Sequence, residues 1–132
     1  MDLRNLDISS LQRAHASLAA AMAMEPTDET QTVLKRDAVI QRFEFTYELA
    51  WKTLKAYLET KDLFVLNPKD TLKLAHQQQL LSDANAWSEL HMQRNLTTHT
   101  YDEKLAEDIY LFLKTKGLAL FMQLKNALDS CL

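Results

Sequence analysis

The sequence predicts an all-α, up-and-down bundle of about five helices, forming one domain over residues 1–132. Three observations carry this. The chain has one Gly and two Pro, too little punctuation for a turn-rich β fold. Apolar residues recur at helical rather than alternating spacing. Short cap-like clusters separate the periodic stretches.

The first helix is expected over Ser9–Met24, with Leu11, His15, Leu18 and Met22 on one face and Ser9 or Ser10 as its cap. "EPTDET" (25–30) is a turn, and Thr27 or Asp28 can cap the next helix. That second helix is the longest, from about Glu29 to Asp62, without Gly or Pro. At 1.5 Å per residue it would span roughly 50 Å. It carries two apolar stripes. Val39, Ile40, Phe43, Tyr47, Ala50, Trp51, Leu54, Tyr57 and Leu58 form a broad one. Ala38, Phe45, Leu49 and Ala56 form a narrower one. Two stripes mean burial on two sides, either as the central helix of one bundle or as a core face plus a dimer face. A short chain has few helices to cover both, which favours the dimer.

Asn67 before Pro68 is a cap followed by proline at the first helical position, opening a third helix that reaches about Gln79. Ser82 is expected to cap a fourth from Asp83, with Ala86, Trp87, Leu90 and Arg94 on one face. The fifth starts near Tyr101, where Thr100 and Glu103 have capping-box spacing. Leu105, Ile109, Phe112, Leu113 and Leu120 form its core stripe, and Leu111, Leu118 and Met122 a second one. Gly117 either admits a close helix contact or breaks this helix.

Composition narrows the function. Nearly half of the chain is hydrophobic and the formal charge is −3. An acidic chain is a poor indiscriminate polyanion binder, so any nucleic-acid role must be local. The single cysteine, Cys131, cannot form an internal disulfide, which suits a reducing cytosol. "MDLRNLDISSLQ" lacks the layout of a signal peptide, and "SLAAAMAM" is shorter than the ~20 residues of a membrane helix. A soluble, cytoplasmic protein is expected.

The connection "RNLTTHTYDEK" (94–104) holds more chemistry than a turn needs. A cap such as Thr100 suffices to start a helix, yet Arg94, Asn95, His99 and Tyr101 cluster there as well. Helix-start amides and a guanidinium both favour a bound anion, above all phosphate. Histidine exchanges protons near neutral pH. An Arg and a His beside a phosphodiester can support attack by an RNA 2′-hydroxyl on its own phosphorus, without a metal or other cofactor. The plain reading stands beside this one: Arg94 paired with Glu89 or Asp102, and His99 as a polar turn residue.

"RNLTTHTY" (94–101) is Arg, four residues, His, one residue, Tyr. Together with "QRFEFTYELAWKTLKAYL" (41–58) and "YDEKLAEDIY" (101–110), it resembles the HepT-like toxins of the HEPN superfamily, in the branch named nucleotidyltransferase substrate-binding proteins. The resemblance implies a helical bundle that dimerises, with the motif lining a cleft at the dimer interface. It implies a metal-independent endoribonuclease of a toxin–antitoxin pair. His99 would be the acid/base, Arg94 the phosphate ligand and Asn95 a positioning residue. It further implies a minimal nucleotidyltransferase partner, the antitoxin, which transfers AMP from ATP onto Tyr101. The alternative carried by the branch name is a non-catalytic substrate-binding subunit of a two-chain nucleotidyltransferase, similar to the helical second domain of aminoglycoside nucleotidyltransferases. The chain is not itself the transferase, which needs a Gly-Ser loop and paired acidic residues on strands.

The remaining candidates read more plainly. His15 belongs in the core. His76 and His91 are expected at the surface, His91 one turn from Arg94 and a possible flank of the cleft. Trp51 and Trp87 are core anchors. No His, Cys, Asp or Glu set has metal-ligand spacing.

Overall fold

The computed structural model describes residues 6–131. Six helices succeed one another: α1 Ser9–Ala23, α2 Glu29–Glu59, α3 Pro68–Gln77, α4 Ala84–Leu96, α5 Glu103–Phe112 and α6 Leu118–Cys131. A 3₁₀ turn, Thr97–His99, links α4 towards α5. One wide π turn, Leu113–Gly117, joins α5 to α6. These last two helices were expected as one, so the rods number five as the sequence predicts. Among the described residues there is no strand.

Gly117 explains the wide turn. A Cβ there would stand 2.8 Å from Leu113 Cδ2 and 3.5 Å from Leu90 Cδ1. The tight contact is with Leu113 of the same turn, the distance to Leu90 of α4 is an ordinary one, and the helix widens by one turn instead of ending.

The caps are partly as read. Asp28 accepts from the Gln31 N–H at 2.8 Å and Asn67 from the Asp70 N–H at 2.9 Å. Three differ. Helix α1 has Ile8 at its cap position, and Asp7 instead accepts from the Ser9 N–H at 2.9 Å. Asp83, not Ser82, caps α4, and Asp102, not Thr100, caps α5. In both cases an aspartate stands directly before the first helical residue, where its carboxylate also meets the positive helix end. The Thr100–Glu103 capping box does not form, because α5 begins only at Glu103.

Helix α2 stops at Glu59, three residues short of the expected end. Asp62 takes φ 60°, and the Leu63 N–H returns to the Leu58 carbonyl at 3.0 Å. Helix α3 closes the same way, with Gln79 at φ 63° and the Leu80 N–H on the Ala75 carbonyl at 3.0 Å. These are left-handed helix stops made without glycine, which is how so glycine-poor a chain makes its turns.

Helix α2 is central and packs against α1, α3, α4 and α5. Its broad stripe is the core: Phe43, Tyr47, Leu54 and Leu58 are fully buried with Leu11, Leu18, Leu90, Ile109, Phe121 and Leu124. Burying one such side chain contributes about 2–3 kcal/mol. Phe43 contacts Phe121, whose ring meets Trp87 edge-on at 5.9 Å. The narrower stripe is incompletely covered, and Phe45, Leu111 and Met122 remain exposed. No helix in the described residues is long and apolar enough to cross a membrane.

Candidate functional site at the α4–α5 connection

The motif residues leave the end of α4 in two groups. Arg94 is the basic residue of α4's last turn, and it points back towards α2. Its Nη1–H donates to Thr97 Oγ1 at 3.0 Å, and Nη2 lies 3.8 Å from Glu48 Oε1. Thr97 is itself fixed by donating to the Arg94 carbonyl at 2.7 Å. The guanidinium Nε is buried without an acceptor. Neither Glu89 nor Asp102, the partners the sequence suggested, holds Arg94. Glu89 faces Lys116 at 3.7 Å, and Asp102 is occupied as a cap.

The second group is His99 with Tyr101. The Tyr101 hydroxyl lies 3.4 Å from His99 Nδ1, with the rings edge-to-face at 6.0 Å. Tyr101 is 84% exposed. Among the described contacts none joins Arg94 to His99, so a single chain presents the cation and the imidazole separately.

Helix α2 relates the two groups. Gln41, Glu44, Phe45 and Glu48 recur at i, i+3, i+4 and i+7, so they share one face. Gln41 and Glu44 line a groove with Thr100 and Tyr101. Glu48, one turn further, meets Arg94. Phe45 lies between, still exposed. The groove's other wall is anchored by Arg36, buried yet paired with Glu103 at 2.7 Å, Glu107 at 3.1 Å and Asp37 at 3.2 Å. These pairs fix the start of α5 against α2 and hold the guanidinium firmly protonated.

Asn95 faces His91 across 3.4 Å. His91 is not a surface residue as expected. It is half-buried, and its Nδ1 is hydrogen-bonded to the Tyr47 hydroxyl. Burial above all, and then Glu48 nearby, hold that phenol protonated, well above the usual tyrosine range. A protonated phenol can donate to Nδ1 or accept from it, and Asn95 meets Nε2 with its amide nitrogen, which can only donate. Burial, then the charge of Lys69, lower the His91 pKa, which keeps this ring neutral.

Tyr47, Glu48 and Thr97 were not singled out as site residues from the sequence. Tyr47 carried a signal, since a tyrosine on a core stripe needs a partner for its hydroxyl. Glu48 and Thr97 had none, because their roles depend on how α4 crosses α2. His15 is buried as expected, and His76 is exposed. Trp87 is a core anchor, whereas Trp51 is only half-buried and donates to Glu48 at 3.2 Å. Among the described residues no group of three potential metal ligands occurs.

The fold and site define an all-α bundle that presents an Arg–His–Tyr motif on a helix connection. Residues 6–130 match the family described as "Nucleotidyltransferase substrate binding protein like", and the chain belongs to this family. It is 35% identical over 92 residues to a Haemophilus influenzae protein called "Probable ribonuclease HepT". That match takes in 66% of this chain and 62% of the relative, so the chain spans less than two thirds of that protein's length. A crystal structure from Thermus thermophilus superposes with a TM-score of 0.78 at 36% identity, covering 89% of this chain and 98% of that one. A Haemophilus influenzae structure, described as revealing the fold of a substrate binding domain of a nucleotidyltransferase, superposes with a TM-score of 0.75 at 27% identity. It covers 93% of this chain and 99% of the other.

Proposed function

We propose that the protein is a metal-independent endoribonuclease of the HepT type, held inactive by a minimal nucleotidyltransferase that adenylylates Tyr101. The observation that supports it is that one face of α2 meets Arg94 at Glu48 and borders a groove with Tyr101 at Gln41 and Glu44, the Tyr101 hydroxyl lying beside His99. His99 removes the proton of an RNA 2′-hydroxyl, whose oxygen then attacks the adjacent phosphorus. The bond to the 5′-oxygen breaks, that oxygen takes up the proton held by His99, and a 2′,3′-cyclic phosphate and a 5′-hydroxyl result. Arg94 stabilises the charge that builds up on the phosphoryl oxygens, and Asn95 positions the strand.

Two copies complete the site. Phe45, Leu111 and Met122 supply apolar surface for a homodimer, and the motif lines the cleft between the two copies. Light scattering that finds a monomer at micromolar concentration would overturn this arrangement. In the inactivating step the Tyr101 hydroxyl oxygen bonds to the α-phosphorus of ATP, the bond to pyrophosphate breaks, and pyrophosphate leaves. The exposure of Tyr101 permits this, and the attached AMP would set a bulky anion beside His99. Co-expression with an active partner should add one AMP to Tyr101 by mass spectrometry.

The deciding experiment is RNA cleavage by the purified protein in EDTA, beside His99→Ala and Arg94→Ala. Cleavage by the wild type that is lost in both variants is expected. No cleavage by an unmodified, dimeric wild type would assign the chain instead to a non-catalytic substrate-binding subunit of its partner.

A further inference from the structure

A second cavity lies on the far side of His91, between α3 and α4. It encloses about 360 Å³, a volume typical of small-ligand sites. Both walls arise from helical spacing. Lys69, Leu72, Lys73 and His76 line it from α3, and Trp87, Ser88 and His91 from α4. Leu72 and Trp87 close its base with almost no exposed surface, while Ala84 and the two lysines that also line it are exposed.

The charge pattern is one-sided. Every titratable side chain lining the cavity is a lysine or a histidine, and no carboxylate does, although the whole chain carries −3. A polycationic ligand would be repelled here. An anion with a flat apolar part would meet complementary charge at the rim and apolar surface below. The cavity is also continuous with the motif. His91 forms its inner wall, and the same imidazole faces Asn95 through Nε2. An RNA strand lying across Asn95 would reach this cavity with an adjoining nucleotide.

We infer that the α3–α4 cavity is a nucleotide subsite, which seats one base of an RNA strand against Ala84, above Leu72 and Trp87, and its phosphate between Lys69 and Lys73. This rests on the proposed nuclease reading, since it takes the strand from the motif cleft. It explains how an acidic protein engages RNA: the basic charge is local and sits beside the motif.

The test measures binding alone. A fluorescent single-stranded RNA with 2′-O-methyl groups, which cannot be cleaved, is titrated into the full-length protein by anisotropy. The Lys69→Glu/Lys73→Glu double variant should weaken binding at least tenfold. It should also shallow the dependence of log affinity on log salt by about 0.7, the loss of one neutralised single-strand phosphate. Ser88→Glu, which puts an acid on the opposite wall, should weaken binding in the same direction, and circular dichroism should show both variants folded. Unchanged RNA affinity in the folded double variant would overturn the subsite. So would AMP binding that the variant abolishes while RNA binding persists, because the cavity would then hold a free nucleotide. The nuclease reading fails separately: wild type that binds this RNA through Lys69 and Lys73 but never cleaves an unprotected strand removes the catalysis and leaves the subsite.

Discussion

Glu48 on α2 stands 3.8 Å from the guanidinium of Arg94 on α4. Neighbouring Tyr47 holds His91, one turn before Arg94, through its hydroxyl. Two consecutive residues of the central helix thus fix the end of α4, where the motif begins. Glu48→Gln removes the charge and keeps the shape. The pair is partly exposed, so stability should change by less than about 1 kcal/mol. On the proposed nuclease reading, RNA cleavage should fall by about tenfold or more, because a displaced reacting group loses most of its advantage. Thermal melts and initial cleavage rates, compared on the same preparation, check both halves.

Tyr47→Phe deletes only the hydroxyl and leaves His91 Nδ1 without its hydrogen-bond partner. A lost hydrogen bond to a half-buried partner should destabilise the fold by about 1–2 kcal/mol. Urea denaturation measures it, and an unchanged midpoint would mean that the bond is replaced by water.

The two inward histidines make stability depend on pH. Burial first, then Lys125, lowers the pKa of His15, whose Nε2 is buried without a partner. Burial first, then Lys69, lowers that of His91. The unfolded chain therefore binds protons that the native chain resists. Stability from both is fully present above the ordinary histidine pKa of about 6.5 and is lost as pH falls through and below it. The melting temperature should drop between pH 7 and pH 5. His15→Leu should flatten that drop, and a wild-type melting temperature that rises over this interval would contradict the assignment.

Arg36→Met keeps the buried stem but removes a guanidinium that meets Asp37, Glu103 and Glu107. It leaves three carboxylates facing one another across the α2–α5 contact. A loss of about 2 kcal/mol is expected from charged hydrogen bonds alone. Hydrogen exchange should quicken at the start of α5, beside Tyr101, more than in α1. Uniform quickening would show that Arg36 acts on the whole bundle instead.

Much of this protein is determined by the sequence. Helical periodicity marked Phe43, Tyr47, Leu54 and Leu58 as core because a core stripe must recur every three or four residues whatever it packs against. Asp28 and Asn67–Pro68 declared two helix starts because capping is local chemistry. The Arg94, His99 and Tyr101 spacing likewise needed no coordinates. Other features were decided only in three dimensions. Asp83 and Asp102 displaced Ser82 and Thr100 as caps, since the first residue to turn helical depends on where the preceding chain is held. Asp62 and Gln79 took left-handed conformations that their residue types do not announce, because helix ends were forced to reverse there. Arg36 lay within the apolar stripe of α2 as a buried charge, legible only once Glu103 and Glu107 came from 67 and 71 residues away. His91 became an inward, neutral ring instead of a surface one, because α4 crosses α2 at Tyr47. Local propensity and spacing are written along the chain, whereas the partners of a buried polar group are set by which helices pack together, and that is a property of the fold.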